Sequence, residues 1–302
     1  MRIITPTLLL VGCVEPVAIE VAGRSVDDAC PVATADVAAA QPAAREALAR
    51  VACHRALAGL PPMVVDADLS AAARAHAAYM ADNDTLTHDQ RLALPGFTGE
   101  TVEERAAAAG WPDDPLLGLQ EVVAVGASPA GIADAWMHAP YHRVALTRPD
   151  VEAVGYGQAG NWAALVTAVP VPASASRAVV YPAHGQTGVP TAWSSDAEVP
   201  DPMPTLDWVG YPVTVSLTSA APDLDRPDDP YGVVVDEAVL EGPEGPVDAV
   251  LLEPSTDPNL RRAVALVPTA PLRARTVYTA RFVLEWGGVE RVAQASFETA
   301  PR

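Results

Sequence analysis

The chain has 302 residues, a length that suggests two domains, and half of them are apolar, enough for a sizeable core. Thirty prolines and 20 glycines foretell many turns and connectors. All 19 basic residues are arginine, against 38 acidic ones, for a net charge of −19; that balance excludes a non-specific nucleic-acid binder, whose phosphate contacts need a basic footprint. In chain order, Arg2 precedes an apolar run from Ile3 to Gly12. The run is too short to span a bilayer, which takes about 20 residues, and small residues before Cys13 suit a signal peptidase. No later segment reaches spanning length without charge or proline, so the chain reads as anchored or free.

Residues 13–41 read as a tether punctuated by Pro16 and Pro31. Cys30 and Cys53 form a pair that an oxidising compartment would bridge, tying the tether to the first helix. The alternative is two separate thiols, with Cys53 on a buried helical face. From Pro42 the apolar spacing turns helical through Ala44, Leu48, Val51 and Ala58, ending at Gly59 and Pro61-Pro62. Asp66 or Asp68 can cap a second helix whose stripe is Leu69, Ala72, Ala73, His76 and Met80. A third runs from Thr101 to Gly110 with Glu103 and Glu104 in its first turn, where the dipole favours acids. A strand over Leu119–Val125, a serine-capped helix from Ser128 through Trp136 and a hairpin of Val151–Gly157 with Trp162–Val169 complete an α+β segment.

Leu10-Val11-Gly12-Cys13 resembles the bacterial lipobox, which implies acylation of Cys13 and a leader of residues 1–12; an ordinary secretory signal is the other reading. Arg55 to Pro62, Thr87-His88, Gly96-Phe97-Thr98-Gly99, Glu104-Arg105-Ala106, Ala109-Gly110-Trp111, Trp136 to Arg143 and Val154-Gly155-Tyr156-Gly157 follow one another in a series that resembles bacterial CAP (SCP/PR-1-like) domains. The resemblance covers about residues 42–170. It implies a three-layer α-β-α sandwich with a cleft where two histidines and two glutamates surround a divalent cation. Carried over residue by residue, the histidines match His88 and His142 and one glutamate matches Glu121. The second glutamate's place is Ala139, so the set is incomplete. Two imidazoles and a carboxylate can hold zinc with an open position; the other reading is an empty cleft with locally satisfied histidines.

Other constellations carry less. His138 and His142 share a helical spacing, but Pro140 between them breaks the helix. Gly126 to Gly131 places its second glycine one residue late for a nucleophile elbow, and Ser128 is better read as a cap. His76 reads as packing; His54 and His184 lack an obvious partner. The acidic run Asp223, Asp225, Asp228 and Asp229 is interrupted by proline and reads as a turn rather than a calcium loop.

A linker at residues 171–178 precedes a region of period-two alternation, as in Val213, Val215 and Leu217. With the run Tyr181-Pro182-Ala183-His184-Gly185-Gln186-Thr187-Gly188-Val189-Pro190, and Pro271-Leu272 before Thr276-Val277-Tyr278-Thr279, residues 179–302 resemble bacterial immunoglobulin-like domains, an all-β sandwich used as spacer or adhesive module. The expected protein is exported and lipid-anchored through Cys13, in the outer membrane or at the cell surface, with the CAP cleft binding a small apolar ligand or an envelope protein. Two alternatives stay open: an envelope hydrolase using a metal such as zinc at His88, Glu121 and His142, and a structural surface module without activity.

Overall fold

The structure, a computed structural model, describes residues 23–33, 41–112, 114, 117–170, 177–218, 233–286 and 288–301. Cys13 with its leader, most of the linker and the acidic run 223–229 lie outside the described residues.

The expected tether does not extend to residue 41 without structure. Helix α1 spans Val26–Ala33. Ser25 and Asp28 cap it reciprocally: Ser25 N–H donates to Asp28 Oδ2 at 2.7 Å, and Asp28 N–H donates to Ser25 Oγ at 3.2 Å. A disulfide joins Cys30 to Cys53, their Cα atoms 4.5 Å apart. Just before α1, Arg24 forms a parallel bridge with Gln186, pinning the chain to the C-terminal region.

Helix α2 (Pro42–Leu57) begins with proline in its first turn and buries Ala44, Leu48 and Val51 of the stripe read from the sequence, with Ala47 beside them. After the short strand β1 (Val64–Val65), α3 (Ala67–Asp82) starts at Asp66, whose carboxylate accepts from the Asp68 and Leu69 amides. Thr101 caps α4 (Val102–Ala109), which stops at Gly110 in the left-handed region at φ 106°. Strand β2 (Leu117–Val125) leads to α5 (Pro129–His138), capped by Ser128. Pro140 then opens a separate helix, α6 (Pro140–Thr147), as the proline requires. Strands β3 (Ala153–Ala159) and β4 (Trp162–Pro170) form the hairpin.

These strands make a sheet ordered β1-β3-β4-β2, and strand alternation sorts its residues onto two faces. Val122, Tyr156 and Leu165 pack with Leu48, Val51, Trp136 and Met137 of α2 and α5. Val123, Ala164 and Val166 pack with Leu69, Ala73 and Met80 of α3. The result is three layers, helix–sheet–helix. Gly155 and Gly157 let α3 come close: a Cβ on Gly157 would lie 2.1 Å from the Arg74 nitrogen, and one on Gly155 2.1 Å from the Leu69 carbonyl carbon.

The C-terminal region is built of β5 (Ala178–Tyr181), β6 (Gln186–Val189), β7 (Ala192–Ser194), β8 (Trp208–Gly210), β9 (Val213–Leu217), β10 (Val233–Gly242), β11 (Gly245–Pro246), β12 (Ala249–Leu252), β13 (Ala263–Pro268), β14 (Val277–Trp286) and β15 (Val289–Thr299). One sheet runs β11-β10-β14-β15-β6, a second β12-β13-β9-β5, and β7 pairs with β8. Val215 and Leu217 share a core with Phe282, Leu284 and Phe297. That core is continuous with the one under α2 and α5. The segment boundary read from the sequence therefore separates stretches of chain but not two independent cores.

Candidate functional site

Glu121 stands on the sheet's edge strand β2, on the α3 side, because it follows the same alternation as Val123. Its carboxylate is 3 % exposed, and Arg105 of α4, 1 % exposed, grips it through Nη2, donating at 2.9 and 2.8 Å. His88, 55 % exposed, approaches Glu121 Oε1 through Nδ1 at 3.1 Å. His76 Nε2 lies 3.5 Å from the same oxygen, but its proton goes to the Thr87 carbonyl at 2.9 Å, since Nδ1 accepts from Gln90 Nε2 at 3.0 Å. Burial holds the His76 imidazole below its usual range, so it stays neutral at pH 7. Burial pushes the Glu121 carboxyl up, but the His88 hydrogen bond and the Arg105 charge prevail and hold it below the ordinary range.

His142 is elsewhere. It sits on α6, and its Nδ1 lies 3.1 Å from Oε2 of Glu198, at an angle that makes no hydrogen bond. Glu198, almost fully buried, comes from the C-terminal region. Its Oε1 accepts from the Tyr141 amide at 2.8 Å and the His142 amide at 3.4 Å, capping α6 where the dipole welcomes an anion. His88 and Glu121 are thus brought together and His142 is not; it makes no hydrogen bond or ion pair with either. Ala139, at the place of the missing glutamate, is buried against Trp193, Met203 and Val209.

The donors do not fit zinc. Both Glu121 oxygens are taken by a guanidinium, which also puts a positive charge where a cation would sit, and both His76 nitrogens are engaged. Among the described residues no group of three or more His, Cys, Asp or Glu side chains is disposed to hold a metal ion.

A cleft of about 400 Å³ opens beside this cluster. His88, Arg105 and Glu121 line it, together with Leu119, Val144 and Ala145. The far wall, Pro258 to Ala263, belongs to the C-terminal region. Tyr141 ties that wall to α6 by donating to Asp257 Oδ2 at 2.6 Å, and Val144 packs on Leu260 and Ala263. Gln120 Oε1, buried at the cleft, has no hydrogen-bond partner among the described residues. Sequence reasoning did not assign Arg105, Glu198, Asp257 or Gln120 to a site, although Arg105 and Gln120 stand within the motifs that carry the family resemblance.

Residues 48–168, about two fifths of the chain, match the family model described as CAP: Cysteine-rich secretory protein family. That match supports the CAP superfamily for this segment. Among solved structures, the chain is similar to an outer surface protein from Borrelia burgdorferi, with a TM-score of 0.34 and 21 % identity over 41 % of this chain and 89 % of that one. It is also similar to an extracellular protein containing a SCP domain from Bacillus anthracis str. Ames, with a TM-score of 0.34 and 19 % identity over 40 % of this chain and 39 % of that one. The match therefore spans well under two thirds of the second protein's length. Comparison with curated proteins finds no match. No helix among the described residues is long and apolar enough to cross a membrane.

Proposed function

We propose that this protein is an exported binding protein of the cell envelope, lipid-anchored at Cys13, that holds a small amphipathic ligand in the cleft between its CAP segment and its C-terminal β region. The observation that carries this reading is the composite cleft itself. Its volume lies in the range of small-molecule sites, roughly 300–1,000 Å³, and its lining mixes the apolar Leu119, Val144 and Ala145 with polar and charged side chains. Arg105 holds both oxygens of Glu121, so that carboxylate is not free for general-base work on a substrate, which favours binding over hydrolysis. The C-terminal sheets are read as an immunoglobulin-like sandwich that has been recruited as a wall of the site rather than as a detached spacer.

The test is native mass spectrometry of the full chain after incubation with an extract of envelope lipids and cell-wall fragments. A retained adduct that disappears in Leu119→Trp, with the melting temperature unchanged, is the expected result. A chain that retains nothing overturns the binding reading. Metabolic labelling with palmitate, expected at Cys13 and lost in Cys13→Ser, checks the anchor separately.

A further inference from the structure

Away from the cleft, a second polar chain crosses between the CAP segment and the C-terminal region. His54 of α2 is almost wholly buried. Its Nε2 lies 2.8 Å from Asp134 Oδ1 on α5, and its Nδ1 lies 2.7 Å from the hydroxyl of Tyr181 on β5. A carboxylate only accepts, so Nε2 carries the proton and Nδ1 accepts from Tyr181. Gln186 donates to the same phenol oxygen at 3.3 Å, and its own Oε1 is held by the Ala183 amide at 2.9 Å. Every direction in this relay is therefore fixed. A second proton on Nδ1 would aim a donor at Tyr181 and leave the phenol proton without an acceptor among the described residues. Unmade buried bonds cost more than made ones contribute.

The relay meets the cleft through α6. Arg143 of α6 lies over the rings of Tyr181 and Tyr211 at 5.2 and 4.7 Å, and donates to the Pro212 carbonyl at 2.6 Å. On the same helix Val144 and Ala145 line the cleft. Tyr181 ends β5, which pairs with β9, which pairs with β13. Strand β13 begins at Ala263, the end of the cleft's far wall. One sheet thus carries the relay's phenol and the wall, and α6 touches both.

We infer that His54 is the latch of an acid-released clamp: while neutral it ties the β5–β9–β13 sheet to α2 and α5, beside α6, and on gaining a proton it lets that sheet move and widen the cleft. The charges facing His54 come from every element around it. Asp134 on α5 favours the protonated ring; Arg50 on α2 and Arg143 on α6 oppose it. Asp27 on α1 is occupied with Arg50. His138 on α5 shares the same cavity and, chiefly through burial, falls to about 4. Burial, the largest influence, holds His54 below the ordinary imidazole value despite Asp134. The sign follows: the clamp is fully made at and above the ordinary value of about 6.5 and is lost as pH falls toward the lowered one. The consequence for a ligand rests on the binding function proposed above; the clamp itself does not.

The test therefore uses no ligand. Spin labels at Glu103→Cys and Arg261→Cys, exposed on opposite walls, are placed in the full chain bearing Cys13→Ala, and their separation is measured from pH 7.5 down to pH 4.5. The expected result is a longer distance in acid, with the midpoint coinciding with the His54 imidazole titration followed by NMR. His54→Gln keeps a donor for Asp134 and an acceptor for Tyr181 but cannot take a proton, so its distance should stay constant. His138→Asn should still open. A pH-independent distance in the His54-containing chain, or opening that does not track His54, overturns the proposal even if His54→Gln fails to fold.

Discussion

Replacing Arg105 by methionine tests whether the Glu121 cluster is a closed ion pair or a site waiting for a cation. Arg105 and Glu121 side chains are 1 % and 3 % exposed and joined by two hydrogen bonds. Methionine keeps much of the stem volume but strands a buried carboxylate. Breaking one partner of such a pair costs about 3–5 kcal/mol. His88, whose Nδ1 lies 3.1 Å from Glu121 Oε1, still leaves that carboxylate one hydrogen-bond partner, so the lower end, about 3 kcal/mol, is expected. The pH dependence gives a second handle. In the unaltered chain Glu121 is held low, so its contribution is present above the ordinary carboxyl value and lost as pH falls below it. Without Arg105, burial dominates and raises that carboxyl, so the penalty is largest near pH 8 and shrinks in acid. Urea denaturation followed by tryptophan fluorescence at pH 5 and pH 8, for Arg105→Met, Glu121→Leu and the double variant, measures both effects. The double variant should recover most of the loss. A coupling below about 1 kcal/mol, or a penalty that grows in acid, would refute the idea that Arg105 satisfies Glu121.

The same locked pair sets the metal expectation. Protein dialysed against equimolar zinc should retain it substoichiometrically by elemental analysis, whereas one zinc per chain that is lost in both His88→Ala and Glu121→Gln would restore the metal-dependent alternative. In the layer beneath, Gly157→Ala should cost about 3 kcal/mol or more, because the new methyl would meet the α3 backbone at 2.1 Å. Gly160→Ala, which meets nothing within 4 Å but sits at φ 58°, should cost about 1 kcal/mol. Equal losses at the two positions in thermal melts would contradict the close helix–sheet approach.

The local structure of the CAP segment was legible because its signals are short-range. Asp66, Thr101 and Ser128 cap the helices they precede, and Pro140 divides α5 from α6. Each of these depends on residues no more than four apart. The strand-like run Leu119–Val125 and the two alternating runs after it likewise fall on β2, β3 and β4. Helix α1 was missed because an eight-residue helix is marginal on its own propensity; it is held by the Ser25 cap, the packing of Ala29 and the covalent link from Cys30 to Cys53, of which only the cysteines were visible in the sequence.

The site was less legible, and the reason is distance along the chain. Matching His88, Glu121 and His142 to a family pattern assumed that α6 faces the cluster with its histidine, as it would if nothing else competed for that helix. Here Glu198, 56 residues beyond His142, takes the α6 N-terminus, while Trp193 and Met203 fill the space beside Ala139. A small residue at position 139 is therefore informative after all: it is what lets the C-terminal region dock where a glutamate side chain would stand. By the same logic His54, which lacks an obvious partner in the sequence, meets Asp134 within the CAP segment and completes its bonding with Tyr181, 127 residues later. Both histidines that looked unexplained or misassigned are explained by one fact that no local pattern carries, namely that the β region is packed into the CAP segment's core rather than strung after it. The cleft, its far wall and the His54 relay are all products of that docking, so the proposed binding site needs the described pair of segments together, and a CAP segment expressed alone would lack a wall of the cleft.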